Sequence, residues 1–313
     1  IREINYCIGC NECMYEAVMG RHRPCAINPL SGHEVDYEIK PAEKTEKLLI
    51  IGGGPAGMTA ALLAKQRGIK HVELWERNSY LGGNLAAAAA PVIKPDIRVY
   101  IDNLIYRLKQ TDVQIFMERT ATKENVAATG IMDVILATGS DPVRIQLPQA
   151  EGSSVRVMTS NDALLSSDEF SGDIAVIGGG LVGCETAIHF AKKPGVGRVT
   201  VIEALDAVLK TAKHFGSNDH SLRDHMAECS IDTVVSARAK RITENGIVYE
   251  KDGREEEIRC SAVIIAVGYR SNNALEDELW DCVDNIRTVG DAVSPRKVIS
   301  AVHEAFHAVR VLK

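Results

Sequence analysis

The sequence predicts an α/β protein in which two doubly wound domains follow a short metal-binding module. A unit made of a buried strand, a glycine-rich turn, a helix of small residues and a second strand occurs twice, with its turns beginning at Gly52 and Gly178. Parallel sheets are assembled from such units. In addition, Cys7, Cys10 and Cys13 fall within one short loop-like stretch. Cysteines this close together are typical of a loop held by a metal or a cluster.

Length and composition support this organisation and exclude several classes of protein. The chain has 313 residues, of which 45% are hydrophobic and 25% charged, enough for about two domains and too apolar for a disordered chain. The net charge of −6 argues against a basic face for nucleic acid. No apolar run reaches the roughly 18–20 residues of a membrane span. Because the first residue is Ile1, we expect the chain to be a piece of a longer protein.

The first glycine turn predicts a dinucleotide site. Residues 52–57 fit the pattern G-x-G-x-x-G between a strand at 48–51 and a helix. Gly52 permits the tight turn, Gly54 lets the backbone approach a pyrophosphate, and Gly57 lets the helix pack on the strand. Glu76 ends the second strand, where a carboxylate can accept a hydrogen bond from a ribose hydroxyl. The alternative is a tight turn that binds nothing.

The second glycine turn repeats this pattern at residues 178–183, and Glu203 ends its second strand. A carboxylate at this place repels a 2′-phosphate, which favours NADH over NADPH. The alternative is a domain that keeps the turn but has lost its nucleotide. Two such turns in one chain predict one flavin dinucleotide and one nicotinamide donor.

The cysteine spacing predicts an iron–sulfur cluster. Cys7, Cys10, Cys13 and Cys25 form the pattern C-x2-C-x2-C-x11-C. Three thiolates at this spacing can bind three corners of a cubane, and a fourth from downstream can complete it. Structural zinc sites more often use two separated C-x-x-C pairs. We therefore favour a [4Fe-4S] cluster over zinc or free thiols.

Later segments resemble the flavin signature of the two-dinucleotide reductases of the glutathione-reductase type. Four residues separate Arg77 from Gly82-Gly83, and residues 137–139 read Ala-Thr-Gly. Residues 288–292 resemble the closing segment, whose Asp291 would hold the ribityl chain of FAD. A helix opening near Val298 would aim its dipole at the flavin. The redox-active cysteine pair of the disulfide reductases is absent, so we do not expect a disulfide reductase.

These patterns together give two sets of predicted cofactor contacts. The predicted FAD contacts are Gly52, Gly54, Pro55, Ala56, Gly57, Glu76, Arg77, Gly83, Asn84, Ala137, Thr138, Gly139, Gly290, Asp291 and Val298. The predicted NADH contacts are Gly178, Gly180, Leu181, Val182, Gly183, Glu185 and Glu203, of which Glu185 matches a position near the nicotinamide in some members.

The residues of the cysteine motif resemble the cluster motif of the iron–sulfur flavoenzymes of the old-yellow-enzyme superfamily. The residues Cys-Ile-Gly-Cys-Asn at 7–11 and the pattern C-x-x-N-P at 25–29 carry this resemblance, which extends over the whole chain. The superfamily includes 2-enoate, 2,4-dienoyl-CoA and bile-acid-inducible reductases and trimethylamine dehydrogenase. The resemblance implies an N-terminal FMN barrel that binds substrate and holds the catalytic acid, so no catalytic residue is expected here.

The sequence therefore predicts a cluster module at 1–40, an FAD-binding domain at 41–155 and 271–313, and an NAD(H)-binding domain at 156–270. The expected function is the NADH-oxidising, electron-input part of a cytoplasmic, homo-oligomeric oxidoreductase. Electrons would pass from NADH to FAD, to the cluster and to FMN in the barrel, for reduction of an activated alkene. The alternatives are an amine dehydrogenase or demethylase that passes electrons outward, and a non-catalytic ADP-binding module. No nucleic-acid or membrane partner is expected.

Overall fold

The computed structural model describes residues 4–212 and 218–313. The chain divides into two compact units. Unit 1 comprises Ile1–Ala89, Pro95–Asp141 and Arg270–Lys313, and unit 2 comprises Ala90–Lys94 and Pro142–Tyr269. Within the described residues, no helix is both long and apolar enough to span a membrane.

The helices of the described residues are α1 Glu12–Val18, α2 Pro55–Gln66, α3 Asn84–Ala88, α4 Pro95–Lys109, α5 Lys123–Ala127, α6 Ser160–Leu165, α7 Leu181–Ala191, α8 Asp219–Glu228, α9 Ala274–Leu279 and α10 Val298–Arg310. A short 3-10 turn spans Gly290–Ala292.

The strands are β1 Lys47–Ile51, β2 His71–Trp75, β3 Gln114–Phe116, β4 Asp133–Leu136, β5 Ser140–Pro142, β6 Arg156–Thr159, β7 Gly172–Ile177, β8 Val196–Ile202, β9 Asp232–Val234, β10 Ala237–Ile242, β11 Gly246–Lys251, β12 Arg254–Arg259, β13 Ala262–Ile265, β14 Tyr269–Ser271 and β15 Asn285–Thr288.

Unit 1 is built on a parallel sheet with the strand order β15-β4-β1-β2-β3. Residues 48–51 of β1 are buried because helices or further segments cover both faces of the sheet, as the unbroken apolar run predicts. Strands β2 and β4 lie on opposite sides of β1, so the order in which the chain adds strands reverses at β1. The first glycine turn follows β1, so it lies where the strand order reverses, the place where doubly wound sheets bind ligands.

Unit 2 repeats this plan with the strand order β6-β13-β7-β8-β9, again parallel throughout. The second glycine turn follows β7, which lies between β13 and β8 and is the reversal point of this sheet. An antiparallel sheet of β10, β11 and β12 is inserted between β9 and β13. The remaining two strands, β5 and β14, pair with each other. The predicted α/β class with parallel sheets is confirmed.

The cysteine module differs from its sequence-based description in one respect. Residues 1–40 read as loop-like, yet α1 begins directly after Asn11, which has a φ of 56°. The polar stretch before residue 226 holds three histidines, and the sequence predicts a solvent-exposed loop and helix there; His220 and His225 lie on α8. His214 lies outside the described residues.

Candidate functional site

The first glycine turn has a shape that only glycine permits at two positions. Gly52 has a φ of 110°, and a Cβ added to it would lie 2.2 Å from the carbonyl oxygen of Ala137. A Cβ on Gly57 would lie 1.8 Å from the oxygen of Gly52. At Gly54 the nearest atom to an added Cβ is Gly83 Cα at 3.9 Å, so the space before α2 stays open. Pro55 is the first residue of this helix, and the amides that follow it can bind a phosphate group.

Glu76 binds the backbone of the same turn. Its Oε2 accepts a hydrogen bond of 2.7 Å from the Gly53 amide, and its Oε1 accepts two bonds of 2.8 Å from Asn78. The residue is 5% exposed. An ionised carboxylate has about four acceptor positions, so three bonds from the protein leave capacity for a ribose hydroxyl. The sequence predicted only the contact with the ribose and missed this contact with the turn.

The second glycine turn in unit 2 has the same shape. Gly178 has a φ of 105°, and its added Cβ would lie 2.5 Å from the oxygen of Ala266. A Cβ on Gly183 would lie 1.8 Å from the oxygen of Gly178, and one on Gly180 would meet nothing within 4 Å. Leu181 and Val182 form the first turn of α7.

Glu203 holds this second turn as Glu76 holds the first. Its Oε2 accepts a 2.5 Å bond from the Gly179 amide, and its Oε1 accepts a 2.7 Å bond from the Leu205 amide. Glu185, on the second turn of α7, forms a 2.5 Å ion pair with Lys94 of the segment Ala90–Lys94. Both side chains are mostly buried, so the pair is only weakly screened by solvent.

The predicted flavin segments of unit 1 are joined by a hydrogen-bond network. Asn84 Nδ2 donates to the Ser140 carbonyl oxygen at 2.8 Å, and Ser140 Oγ donates to Asp291 Oδ2 at 3.0 Å. The Arg296 amide donates to the other Asp291 oxygen at 3.0 Å. Thr138 Oγ1 donates to the Asn272 carbonyl oxygen. The network joins Asn84 and Asp291, which are far apart in sequence, through one residue, Ser140, which the sequence analysis did not single out.

Three further predicted positions belong to this region. Arg77 forms a 2.5 Å ion pair with Asp141, and both side chains are about half exposed. Gly290 has a φ of 68°, and its amide donates a 2.8 Å bond to Glu304 Oε2 of α10. Val298 is the first residue of α10. Glu304 therefore ties the Gly290 turn to the helix whose N-terminus was predicted to face the flavin.

The four predicted cluster ligands lie on the segment that includes α1 and on the loop at Cys25. Cys7 is exposed, whereas Cys10, Cys13 and Cys25 are half-buried, and all four are free thiols. Burial raises the pKa of Cys10, as do the charges of Glu12, Cys7 and Cys13, while a backbone hydrogen bond at Glu12 lowers it. The Gly9 amide donates to Cys7 Sγ at 3.4 Å. Negative charge on these neighbours therefore opposes a Cys10 thiolate unless a cation or cluster neutralises it.

Within residues 4–212 and 218–313, no group of three or more Cys, His, Asp or Glu side chains is placed to hold a metal ion. A single ion needs its thiolates converging at about 2.3 Å. A [4Fe-4S] cluster instead takes one thiolate on each of four irons, so its ligands stand farther apart. The preference for a cluster over zinc rests on the C-x2-C-x2-C-x11-C spacing.

Residues 46–292 match the pyridine nucleotide-disulphide oxidoreductase family. The chain belongs to this family. Membership implies FAD and a nicotinamide nucleotide as cofactors, as the two glycine turns predict, and places the chain among the oxidoreductases.

Curated relatives of this chain confirm the resemblance to iron–sulfur flavoenzymes. A cinnamate reductase of Clostridium sporogenes is 34% identical over 310 residues, which are 98% of this chain and 46% of that protein. An NADH oxidase of Thermoanaerobacter brockii is 35% identical over 311 residues, 97% of this chain and 47% of that protein. The chain thus spans about half the length of the curated relatives it matches.

A solved structure of 2-naphthoyl-CoA reductase with 2-naphthoyl-CoA has the same fold. It superimposes with a TM-score of 0.90 at 24% identity, over 100% of this chain and 47% of that chain. At this identity the likeness concerns the fold alone.

Proposed function

We propose that this chain is the NADH-oxidising, electron-input part of an FAD, [4Fe-4S] and FMN oxidoreductase that reduces an activated C=C bond of the enoate or enoyl-CoA type. The observation that carries the proposal is the pair of matching glycine turns, each at the reversal point of a parallel sheet and each held by a carboxylate. The chain is 34–35% identical to a cinnamate reductase and an NADH oxidase. These similarities support the reductive direction.

We assign FAD to unit 1. The open space before α2 would take its pyrophosphate, and Glu76 would accept a bond from the adenosine ribose. Asp291, fixed by Ser140 and Arg296, would accept from a ribityl hydroxyl. Backbone contacts would come from the same turn and strand end, at Ala56, Gly83, Ala137 and Gly139. Bound FAD would accept a hydride and release electrons singly.

We assign NADH to unit 2. The α7 N-terminus with Gly180, Leu181 and Val182 would bind the pyrophosphate, and Glu203 would select a 2′-hydroxyl over a 2′-phosphate. The ion pair with Lys94 would hold Glu185 in place at the first turns of α7.

We assign a [4Fe-4S] cluster to Cys7, Cys10, Cys13 and Cys25, which would supply one-electron transfer. In this proposal the acceptor is FMN in an N-terminal barrel, which also binds the alkene. We expect the whole protein to be a cytoplasmic homo-oligomer. These features of the whole protein are proposals, because the chain covers only about half of its relatives.

An anaerobic NADH titration of the purified protein, followed by visible absorption and paired with iron, sulfide and extracted-flavin assays, tests the proposal. We expect bound FAD and about four irons per cluster, with bleaching of both chromophores by substoichiometric NADH. NADPH serves as the matched control and should react poorly.

Other outcomes separate the alternatives. Bound FAD and iron that no nicotinamide nucleotide reduces, but that an amine substrate does, would favour the amine dehydrogenase. Bound ADP without flavin would favour the non-catalytic module.

A further inference from the structure

Helix α10 contacts both cysteine-bearing segments of unit 1. His303 Nε2 donates a 2.8 Å hydrogen bond to the Cys25 carbonyl oxygen. One turn on, the His307 ring lies edge-on to Tyr37 with centroids 4.9 Å apart, and the Arg310 guanidinium lies 4.8 Å from the same ring. Positions 303, 307 and 310 share one helix face, so this face binds the loop from Cys25 to Tyr37.

The N-terminal end of α10 reaches the other cysteine segment. Lys297, the N-cap residue, donates from Nζ to Glu12 Oε1. Glu12 lies between Cys10 and Cys13 in sequence and is 6% exposed, whereas the Lys297 side chain is 43% exposed. A buried carboxylate beside thiolates is costly unless a cation compensates it, and Lys297 supplies that cation.

The same helix also contacts the predicted flavin region. Glu304, the neighbour of His303, accepts from the Gly290 amide and pairs with Arg296, whose own amide donates to Asp291. Ala301 packs against Gly290, with 3.3 Å between its Cβ and an added glycine Cβ. One rigid helix thus joins the two places to which we assign electron carriers.

We propose that the Lys297–Glu12 ion pair sets the reduction potential of the cluster while holding the Cys10–Cys13 segment on α10. Cluster potentials depend on nearby net charge, hydrogen bonds and solvent exposure. A reduced cluster carries one more negative charge than an oxidised one, so Glu12 disfavours reduction and Lys297 favours it. Lys297 is a positioning and tuning residue, not a catalytic one, and this inference rests on the proposed cluster.

A redox titration of the purified protein, with the cluster followed by electron paramagnetic resonance, tests this proposal. Two variants are compared: one removes the negative charge of the pair and the other removes the positive charge. We expect E12Q to raise the potential and K297Q to lower it. At a fixed applied potential, the ratio of reduced to oxidised cluster should change roughly three- to tenfold in each direction, the scale of one partly screened charge. The double variant, with a neutral amide pair, should return close to the wild-type ratio.

The matched control is K70Q, which breaks an exposed 2.9 Å pair with Glu46 at the amino ends of β1 and β2. It should leave the cluster potential unchanged. Iron, sulfide and FAD contents are measured on every variant. A wild-type protein without iron would refute the proposed cluster itself, whereas a loaded cluster with no shift in either variant would refute only the tuning role.

The sign of the shift separates tuning from loosening. Shifts in the same direction in both single variants, or iron loss from both, would make the pair a structural contact only and overturn the proposal. If E12Q alone loses iron, K297Q decides, because its position on α10 lies outside the cysteine motif. A potential in K297Q equal to that of the wild type would then overturn it.

Discussion

The glycine turns of the two units are alike in backbone and unlike in what surrounds them. Gly54 and Gly180 have the same φ and ψ, −74° and −175°, and each precedes a helix that starts one residue later. In unit 1 the turn faces Gly83, and its carboxylate, Glu76, is buried with three donors. In unit 2 no atom lies within 4 Å of a Cβ on Gly180, and Glu203 is half-buried with two donors.

This difference matches two kinds of ligand. A site bordered by a second segment and a buried carboxylate suits a cofactor that stays bound, because the protein groups that form the site are already desolvated and fixed before binding. A more open site with a half-buried carboxylate suits a nucleotide that must leave after each turnover. We therefore interpret the first turn as the resident FAD site and the second as the exchangeable NADH site.

The largest expected effect comes from adding one methyl group to the third glycine of each turn. In G57A and G183A the new Cβ would lie 1.8 Å from a backbone oxygen, so the strand and helix must separate. Overpacking of this kind costs about 1–3 kcal/mol or more. We expect G57A to purify without FAD, and G183A to retain FAD but bind NADH roughly a hundredfold more weakly.

Each of these variants is the control for the other. The measurements are the FAD content by absorbance and the NADH dissociation constant by equilibrium titration. Loss of FAD from both variants, or normal NADH binding by G183A, would contradict the assignment of one nucleotide to each unit.

A second expected difference between the units is sensitivity to acid: burial lowers a histidine pKa in each unit, at His307 in unit 1 and, by the larger shift, at His189 in unit 2. Burial, with a smaller contribution from Lys193, lowers the pKa of His189 in unit 2 to about 4. Its Nδ1 is buried without a hydrogen-bond partner among the described residues. Because the folded-state pKa lies below the unfolded value of 6.5, the unfolded state binds more protons between these two values. The contribution of His189 to the free energy of unfolding is therefore fully present above pH 6.5. It falls as the pH drops towards 4, by about 3 kcal/mol at most.

The chain offers separate probes for this prediction. Both tryptophans, Trp75 and Trp280, belong to unit 1, so their fluorescence reports that unit, whereas far-ultraviolet circular dichroism reports both. On acidification from about pH 6.5 to about pH 5, within the window where the two states differ in bound protons, we expect the dichroism midpoint in urea to fall more than the fluorescence midpoint. In H189L the dichroism midpoint and the fluorescence midpoint should fall by the same amount. An unchanged pH dependence in H189L would mean that other groups in unit 2 titrate.

The parts of the site that could be predicted are those formed by residues near each other in sequence. The glycine spacings, the strand-ending carboxylates and the cysteine motif are local patterns whose geometry follows from chain connectivity. Helix α1 was missed because it has only seven residues and no side-chain cap. The contacts of Ser140 with Asp291 and of Lys297 with Glu12 were missed because these partners lie 151 and 285 residues apart, and no local pattern marks such pairs.

The smallest effect expected is on the choice between NADH and NADPH, and it compares the two carboxylates directly. Glu203 carries the negative charge that we expect to repel a 2′-phosphate, and its oxygens hold the Gly179 and Leu205 amides. E203Q keeps one amide acceptor and removes the charge. We expect the ratio of NADPH to NADH dissociation constants to fall about tenfold, the effect of one partly screened charge.

The equivalent change in unit 1, E76Q, is the matched control for this prediction. The glutamine side chain would disturb three donors in a buried position, so FAD content should fall, but the preference between NADH and NADPH should not change. An equal preference shift in E76Q and E203Q would mean that the charge acts at long range rather than at the ribose. No shift in E203Q would assign the discrimination to other residues of unit 2, and the half-buried carboxylate would then serve the turn alone.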